Sequence, residues 1–521
     1  MGQQDTFFEF IAREKDKLAE QLLTHIALSL AALFLTVAIG IPLGILITRK
    51  KKISGFVLGV AGVLQTVPSI ALLGFMIPLL GIGVKPAIIT LILYALLPVV
   101  RNTFTGINEV SDTIKEAARG MGMTDMQLLF KVELPLAMPV IFAGVRTAAV
   151  ITVGIATLAA YIGAGGLGEF IFGGIALNNT NMILAGAIPA ALLALLFDFL
   201  LSRLQKLKVN RPKPILYFLG GLFLLSSMTY YSAPVFSKSF LAGFSPEFTG
   251  RADGLPGIEK KYGLHFHSVV ISPSLVYHAA QNKEVDLIDG YSTDGRIKAY
   301  NLVVLKDDKK AFPPYFASAI VRNEILEKYP EIKPVIEMIN GRINDSTMTA
   351  LNYQVDYLNL SPAAVAKDFL VKQKLWKPER AKNAGKIIIG AKIFSEQYIL
   401  AEMYAALIKG YTDLDVSLKE HLGGTKICFE ALKAGQIDMY VEYTGTGLMV
   451  ILQPPSETID KVIVNKDSVF NFVNNEFKKQ YHITWLAPIG FNNTYALLMR
   501  REEAERMGIE KISSLNQNLQ N

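Results

Sequence analysis

The chain has 521 residues and a formal net charge of +7, and its 51% hydrophobic content and mean hydropathy of +0.34 indicate that part of it lies in a membrane. The single cysteine, Cys428, excludes an intrachain disulfide and a cysteine-based metal site. The basic residues at 49–52 and 203–213 adjoin apolar segments, where the positive-inside rule explains them better than nucleic-acid binding does.

The first half of the chain carries nearly all the long apolar segments. Residues 1–25 form an amphipathic N-terminal segment without the apolar core of a cleavable signal peptide. We expect this segment to lie along a membrane surface or to form an ordinary soluble helix. Residues 26–214 form a predicted membrane domain, and residues 215–236 a predicted tethering helix and linker. The predicted spans lie near residues 26–48, 54–80, 86–100, 139–162, 182–201 and 215–231.

Charge bias gives these spans an orientation. The four cations at 49–52 belong in the cytoplasm, so the N-terminus and everything after Ala233 are expected outside it. Pro68 interrupts the second span and predicts a kink. Asp198 lies one turn from the cytoplasmic end of the fifth span, where a pair with Arg203 is expected.

Residues 163–174 are glycine-rich, but they do not form a phosphate loop. They contain no G-x-x-x-x-G-K-[ST] sequence and fall on the outer side. No such motif occurs anywhere in the chain. The sequence therefore offers no nucleotide-binding motif of this kind.

A polar segment between two spans, residues 116–135, carries the most specific motif. It begins with Glu116, Ala117 and Ala118, continues with Gly122, and ends in V-E-L-P at Pro135. Glycine ends a helix and proline forbids its regular continuation. The spacing resembles the coupling loop of ABC importer permeases, E-A-A-x3-G-x9-I-x-L-P, with valine in place of isoleucine. The resemblance implies an all-α permease with a MetI-like core that docks an ATPase here.

The second half resembles a different protein of the same transport systems. Residues 386–403 and 432–446 are similar to the start of the mature binding protein of glycine betaine/carnitine/choline importers. The passages that normally follow are found at 244–258, 289–300 and 312–317, ahead of them. The resemblance implies an α/β two-lobed periplasmic-binding-protein fold of type II, circularly permuted.

This resemblance also divides the second half into lobes. The substrate-binding domain is predicted at 237–521. Lobe two combines 237–295 with 488–521, and lobe one is 296–487. The polar stretch 377–385 would join the former ends of the domain, because termini that lie close together can be linked by a short bridge.

A quaternary ammonium cannot donate a hydrogen bond, and proteins hold it against aromatic faces. The resemblance puts several aromatic residues at strand ends or lobe crossings. These candidate cage residues are Tyr440, Tyr443, Tyr291, Tyr315 and Phe316. Each could equally be an aromatic residue of the core.

Polar candidates accompany the aromatic ones. A ligand carboxylate could be bound by Arg251, Asn493 or Thr494, or by backbone N–H groups at 395–397. Gln397 and Thr425 are further candidates for polar contacts. Asp294 and Arg296 form either an interlobe or hinge pair or part of the ligand site, and Glu442 is expected to be structural.

We therefore expect a transport subunit that fuses a permease to its solute receptor, in the cytoplasmic membrane of a bacterium. It would import glycine betaine, carnitine or choline, or alternatively ergothioneine, as a homodimer with two ATPase subunits. No enzymatic activity, metal, cofactor or nucleic-acid partner is expected for this chain, since ATP and Mg²⁺ would be used by the ATPase. A membrane solute sensor, the alternative of a different class, needs a cytoplasmic output domain that the sequence does not contain.

Overall fold

The protein consists of a helical part and an α/β part. The structure, a computed structural model, describes residues 6–177, 179–205, 221, 240–381 and 384–516. Apart from Gly221, the predicted tether at 215–236 lies outside the described residues, as do Ser237 and Asn521.

Helices follow one another closely in the first part. A π-helical turn, Leu129–Glu133, joins α7 to α8. The helices are α1 (Phe7–Arg13), α2 (Lys15–Arg49), α3 (Lys51–Thr66), α4 (Ser69–Leu80), α5 (Val84–Asn108), α6 (Asp112–Gly120), α7 (Asp125–Leu128), α8 (Leu134–Ala159), α9 (Gly168–Ala176) and α10 (Thr180–Gln205).

Among the described residues, α2, α5, α10 and the segment that contains α8 are long and apolar enough to cross a membrane. α3 and α4 form a pair bent by 100°, either a broken span or a re-entrant loop. Pro68 lies at this bend, so the predicted kink is sharp enough to separate two helices. The first five predicted spans lie on these helices.

The N-terminal segment does not end at residue 25 as predicted. Helix α1 ends at Arg13, and α2 then continues from Lys15 through the first span without a break. Phe10 is buried in a cluster with Phe170 and Ala185, so α1 packs against the permease. The apolar face that suggested a membrane surface is partly covered by protein.

The coupling segment, residues 116–135, follows the prediction at its glycine but not at its proline. α6 ends at Gly120, and Gly122 has φ +81°, a left-handed conformation that glycine adopts without a steric penalty. Pro135 does not interrupt a helix, because it lies in the first turn of α8, where its missing N–H costs least.

Two ion pairs fix the helices of the membrane part. Arg49, at the end of α2, pairs with the buried Glu133 near the end of the coupling segment. Asp198 pairs with Arg146 of α8, with nitrogen–oxygen distances of 3.0 and 2.9 Å, so the predicted pair with Arg203 is wrong. A neighbouring helix supplies the partner, and the Arg203 guanidinium lies over the ring of Phe199 instead.

The α/β part contains two five-stranded sheets. The first has the order β2-β1-β3-β10-β4 and the second the order β7-β6-β8-β5-β9. Strands β2, β1 and β3 of the first sheet are parallel, as are β7, β6 and β8 of the second. Strands β10 and β5, which each enter their sheet from the other lobe, are antiparallel to both neighbours. The strands are β1 (Ala242–Phe244), β2 (Ser268–Val270), β3 (Leu287–Tyr291), β4 (Leu302–Val304), β5 (Ala317–Arg322), β6 (Lys386–Gly390), β7 (Asp415–Lys419), β8 (Met439–Tyr443), β9 (Ile483–Trp485) and β10 (Tyr495–Arg500).

The predicted lobe boundary at 295/296 is wrong. Strand β4 pairs with β10 in the sheet of lobe two, so this lobe continues past residue 304 before the chain crosses. The two crossing segments run side by side, bridged at Phe316 and Asn492. The hydrogen bonds of β4 to β10 depend on residues almost two hundred positions apart, and no local sequence signal marks them.

Helices cover both sheets. They are α11 (Pro246–Gly250), α12 (Leu255–Tyr262), α13 (Val276–Gln281), α14 (Arg296–Ala299), α15 (Asn323–Lys328), α16 (Ile332–Ile336), α17 (Asp345–Asp356), α18 (Pro362–Lys372), α19 (Ser395–Tyr411), α20 (Thr425–Lys433), α21 (Thr444–Thr446), α22 (Ser456–Val462), α23 (Lys466–Tyr481) and α24 (Arg501–Met507).

Lobe two rests on the end of the helical part that is remote from the coupling segment. Ile162, just after α8, forms a β-bridge with Ile271, and the buried Glu169 accepts a hydrogen bond from the Val270 N–H at 3.3 Å. The coupling segment lies at the other end of α8. The α/β part and the coupling segment therefore occupy opposite ends of the membrane helices.

Candidate functional site

A cavity of about 410 Å³ lies between the two lobes, and we call it the cleft cavity. This volume suits a small solute. Strand ends deliver its aromatic residues, because β3 and β8 finish at Tyr291 and Tyr443 and β10 starts at Tyr495. In sheets of this kind, ligands bind at such strand ends.

Four aromatic rings from both lobes meet in this cavity. The rings of Tyr291 and Tyr495 are stacked, with centroids 5.0 Å apart, and Tyr315 stands edge-on to Tyr495 at 6.0 Å. Phe394, immediately before α19 in lobe one, meets Tyr291 of lobe two at 5.6 Å and 72°. The pair Tyr291–Phe394 therefore spans the cleft.

Protein cations already cover several of the other rings. The Arg251 guanidinium lies 5.1 Å from the ring centroid of Tyr495, and the Lys392 ammonium lies 5.2 Å from that of Tyr443. Arg296 covers Tyr277 at 4.0 Å. Among the described residues, no Lys or Arg lies over the rings of Tyr291 or Phe394, and both residues line the cavity.

Each of these three basic residues is neutralised by its own carboxylate. Arg251 donates two hydrogen bonds to Asp253, at 2.8 and 2.6 Å. Lys392 donates to Glu442 at 2.5 Å, and both side chains are almost fully buried. Arg251 lines the cavity but is already paired with Asp253, so its predicted contact with a ligand carboxylate stays a prediction. The expected structural role of Glu442 agrees with its geometry.

Three other carboxyl groups of the cavity lack such partners. No Lys or Arg of the described chain forms an ion pair with Asp289, Asp356 or Glu396. Burial raises the pKa of Asp289 to about 6, although the N–H and hydroxyl of Ser245 both donate to it. Burial also raises the pKa of Asp356 and of Glu396. The cavity therefore has an excess of acidic groups, which favours a cationic ligand.

Glu396 connects the lobes through four donors. Thr293 of lobe two donates to its carboxylate at 2.8 Å, and Asn493 of the crossing segment donates at 2.8 Å. Tyr443 and Asn352 of lobe one donate at 2.5 and 3.0 Å. Because these donors come from both lobes, the network holds the lobes together around the cavity.

The structure brings together only some of the predicted ligand residues. The predicted residues that line the cleft cavity are Arg251, Tyr291, Asp294, Tyr315, Thr425, Tyr443 and Asn493. Tyr440 is fully buried in the core of lobe one and donates to Glu442. Phe316 and Thr494 line a depression outside the cleft, and Gln397 lies behind Tyr443, to whose hydroxyl it donates.

The pair Asp294–Arg296 resolves an alternative that the sequence left open. Arg296 donates to Asp294 at 3.0 and 2.6 Å, and both residues line the cavity from lobe two. They form a local pair within one lobe, and the predicted interlobe pair is wrong. The charge of Arg296 is thus balanced before any ligand enters.

Sequence reasoning missed several cavity residues. Tyr495 lies a few residues after the predicted lobe boundary at 487/488, and Phe394 directly precedes the backbone donors predicted at 395–397. Lys392 and Glu396 lie in the same passage. A signal was present for Lys392, Phe394 and Glu396, since the passage 386–403 carries the resemblance, but their side-chain directions depend on the tertiary fold.

The coupling segment shows the exposure that a docking surface needs. Glu116 and Ala117 are exposed on α6, whereas Ala118 is buried against the permease. Three apolar side chains of the segment are also exposed, and we call them the apolar patch. They are Met121 at 72%, Met126 at 64% and Phe130 at 41%.

Comparisons with known proteins agree with this division of the chain. The family described as the substrate binding domain of ABC-type glycine betaine transport system matches residues 232–372 and 385–520. The family described as the binding-protein-dependent transport system inner membrane component matches residues 40–213. The predicted helical permease and two-lobed binding domain are confirmed.

Similar individual proteins come from several bacteria. The carnitine transport permease protein OpuCB of Listeria monocytogenes is 50% identical, over 39% of this chain and 92% of its own length. The choline transport system permease protein OpuBB of Bacillus subtilis is 44% identical, over 37% and 89%. The ergothioneine transport permease/ergothioneine binding protein EgtU of Helicobacter pylori is 28% identical, over 65% and 87%.

Proposed function

The chain belongs to the ABC importer family of glycine betaine, carnitine and choline, and from this premise we propose that it imports a small quaternary-ammonium solute. A family member of this kind is not itself an enzyme and lies in the inner membrane with several spans. Membership of this family also implies that the chain has an ATPase partner and a small-molecule ligand. The identity of the solute and the arrangement of the subunits are the substance of the proposal.

One observation carries the proposal of a quaternary ammonium. Tyr291 and Phe394 meet edge to face from opposite lobes, and no Lys or Arg of the described residues lies over either ring. A trimethylammonium group that contacted both rings from within the cavity would gain attraction from each of them once water is excluded. Asp289 and Glu396 would add negative charge around it. Closure of the lobes would then be favoured by the ligand that bridges them.

Two buried acceptors bear on which quaternary amine binds. The side-chain oxygens of Asn352 and Asn493 have no hydrogen-bond partner among the described residues, although both residues line the cavity. A buried acceptor without a donor is costly. Choline and carnitine carry a hydroxyl donor, which glycine betaine lacks. These oxygens therefore favour a ligand that has a donor beside its ammonium group.

Ergothioneine is the second candidate ligand. It carries a trimethylammonium group and an imidazole-thione, whose ring N–H could reach such an acceptor. The relative from Helicobacter pylori joins a permease and a binding protein, as this chain does, and its name assigns ergothioneine to it. A longer ligand requires a deeper cavity, so the two candidates make different demands on the same site.

We propose the following assembly around this site. Two copies of the chain form one pathway, and a separate ATPase docks on each coupling segment in the cytoplasm. The N-terminus and the binding domain face outward, in keeping with the four cations at 49–52 and with the opposite ends of α8. The tether keeps the receptor at an effective concentration of roughly millimolar beside its permease, so docking need not wait for diffusion.

We also propose that the binding domain is circularly permuted relative to its family. Strand β1 and the last described turn, Ile512–Leu515, both belong to lobe two, and the Asn516 side chain donates to the Tyr262 carbonyl at 3.2 Å. The described residues of the predicted joint, 377–381 and 384–385, contact lobe one through backbone hydrogen bonds of Arg380 and Ala384. Cleavage of the full chain at a protease site inserted at 382–383 should leave solute binding intact; loss of binding would argue against a former terminus there.

Calorimetry on the purified full-length chain tests the proposed solute class. Glycine betaine, choline, carnitine and ergothioneine are titrated separately, and we expect at least one to bind. Tyr291→Ala should weaken that binding by roughly thirtyfold, the value of a desolvated cation–π contact. If none of the four binds to the parent chain, the proposal fails.

A matched control separates the cavity from the rest of the domain. Phe316→Ala removes an aromatic ring of the crossing segment that lies outside the cleft cavity, and it should leave the affinity within roughly twofold. Equal losses in the two variants would indicate general damage to the domain. Uptake into proteoliposomes with and without the co-purified ATPase then distinguishes an importer from a sensor.

A further inference from the structure

One residue of the cleft cavity comes from the permease. Tyr161 lies two residues beyond the end of α8, and it lines the cavity together with Ser272, Ser274 and Tyr277 of the binding domain. All the other lining residues of this cavity belong to the two lobes. One side of the solute site is therefore closed by the permease part of the chain, which must receive the solute.

Backbone contacts on both sides hold Tyr161 at this position. The Tyr161 carbonyl accepts a hydrogen bond from the Ser272 N–H at 3.2 Å, and the next residue, Ile162, forms the β-bridge with Ile271. The Ile162 carbonyl also accepts from the Gly83 N–H at 2.7 Å, at the start of α5. Receptor and permease thus share one short stretch of backbone pairing.

Side-chain packing supports the same position. The Tyr161 ring lies 5.7 Å from that of Phe172 in α9, at 60°, and it is half-buried rather than enclosed. Leu275 of the binding domain packs against the permease cluster that contains Leu28 and Ile162. The Tyr161 ring therefore borders the cavity on one side and the permease on the other.

We propose that Tyr161 contacts the bound solute and passes its ammonium group from the receptor to the permease. The proposal rests on the proposed function, since it assigns a further residue to the same solute. An aromatic ring is the appropriate side chain, because it attracts a quaternary ammonium without a charge that would hold it too tightly. α8 runs without a break from the coupling segment to this point, about 39 Å at 1.5 Å per residue. Movement of its inner end by the ATPase would therefore also move Tyr161.

The test measures choline affinity of the full-length chain and three variants. Tyr161→Ala should weaken binding by roughly three- to thirtyfold, and Tyr161→Phe should retain most of it, because the ring remains. Phe172→Ala is the matched control, an aromatic ring of the same interface that does not line the cavity, and it should have little effect. Equal affinity of Tyr161→Ala and the parent overturns the inference, as does an equal loss in Phe172→Ala.

A spectroscopic readout tests contact directly. In Tyr161→Trp, choline should change the indole emission beyond the change seen in the parent, which has two tryptophans. Phe172→Trp should show no added change, and an identical response of both variants contradicts the inference. If the parent binds neither choline nor another of the four solutes, the proposed function fails and this inference with it. A parent that binds, with an unaffected Tyr161→Ala, overturns the inference alone.

Discussion

At the scale of single residues, the cleft cavity contains two kinds of charged side chain: those that are paired with an opposite charge and those that are not. Arg251, Arg296 and Lys392 each have a carboxylate partner within 3.1 Å. Asp289 and Glu396 are satisfied by neutral donors alone. Such donors stabilise a buried carboxylate less than a cation does, so burial dominates and raises both pKa values.

This imbalance predicts that solute binding depends on pH. A bound cation stabilises the ionised form of Asp289, whose pKa is about 6 in the empty cavity, and so lowers that pKa. Binding then releases a proton when the pH lies below about 6, and the affinity falls as the pH falls. We expect choline to bind roughly five- to tenfold more weakly at pH 5 than at pH 7.5, as measured by calorimetry.

Asp289→Asn serves as the control for this pH dependence. It removes the titrating group and should bind choline more weakly at pH 7.5, with a smaller change between the two pH values. An affinity that is constant or that rises towards pH 5 in the parent would show that the unpaired carboxyl groups do not act on the solute.

Residue types were easier to predict than side-chain directions. The resemblance placed Tyr291, Tyr315 and Tyr443 near the ligand, and all three line the cavity. Tyr440 is on the same strand as Tyr443, but it is an odd number of residues away and therefore points to the opposite face. Its burial follows from strand alternation, a rule that the sequence alone could have supplied once the strand was assumed.

At the scale of elements, close helix packing in the membrane part depends on small residues. A Cβ on Gly144 of α8 would lie 2.6 Å from the Pro98 carbonyl oxygen and 2.7 Å from the Asn102 Cβ, both in α5. A Cβ on Gly44 of α2 would lie 2.5 Å from that of Thr103. Without a hydrophobic driving force in lipid, such close contact is what holds helices together.

Gly144→Ala should therefore destabilise the chain. The added methyl group has to push α8 away from α5, and overpacking of this kind costs about 1–3 kcal/mol. The apparent melting temperature in detergent should fall accordingly. Gly154 in the same helix has no atom within 4 Å of its added Cβ, so Gly154→Ala provides the matched control and should melt at or above the parent temperature. Equal shifts in the two variants would refute the packing argument.

Element existence was predictable here because the signals are local. Hydropathy over about 20 residues finds a span regardless of its partners, and the coupling motif lies within 20 consecutive positions. The partner of Asp198 and the membership of β4 in lobe two were not predictable, because both depend on residues brought together by folding. The π-helical turn before Pro135 likewise has no sequence pattern of its own.

At the scale of the whole molecule, the two lobes have the same strand topology. In each sheet one strand, β10 or β5, arrives from a crossing segment. If the other four strands are numbered along the chain, both sheets have the order second, first, third, crossing strand, fourth. Moving the chain start from one lobe to the other leaves this order unchanged. The circular permutation that we propose would therefore require little change in the fold, and the argument for it comes from the order of the sequence passages and not from the strand topology.

The membrane helices separate two functions that must communicate. The binding domain rests on the residues after α8, and the apolar patch of the coupling segment lies before it. An exposed apolar cluster of this kind is characteristic of a protein interface. Because the patch and the binding domain lie at opposite ends of α8, a substitution in the patch should affect the ATPase without altering the empty binding domain.

Met121→Glu provides the sharpest test of this separation. Met121 is the most exposed residue of the apolar patch, at 72%, and a charge there would have to be buried without a partner when the ATPase docks. We expect loss of the co-purified ATPase and of solute-stimulated ATP hydrolysis, with choline affinity within roughly twofold of the parent. Met121→Leu keeps the apolar contact and should retain both activities. The substituted side chain lies near the end of α8 that is remote from the cleft cavity. Weaker choline binding in Met121→Glu would therefore mean that the two ends are not separated in this way. An ATPase that still docks on Met121→Glu would also contradict the prediction.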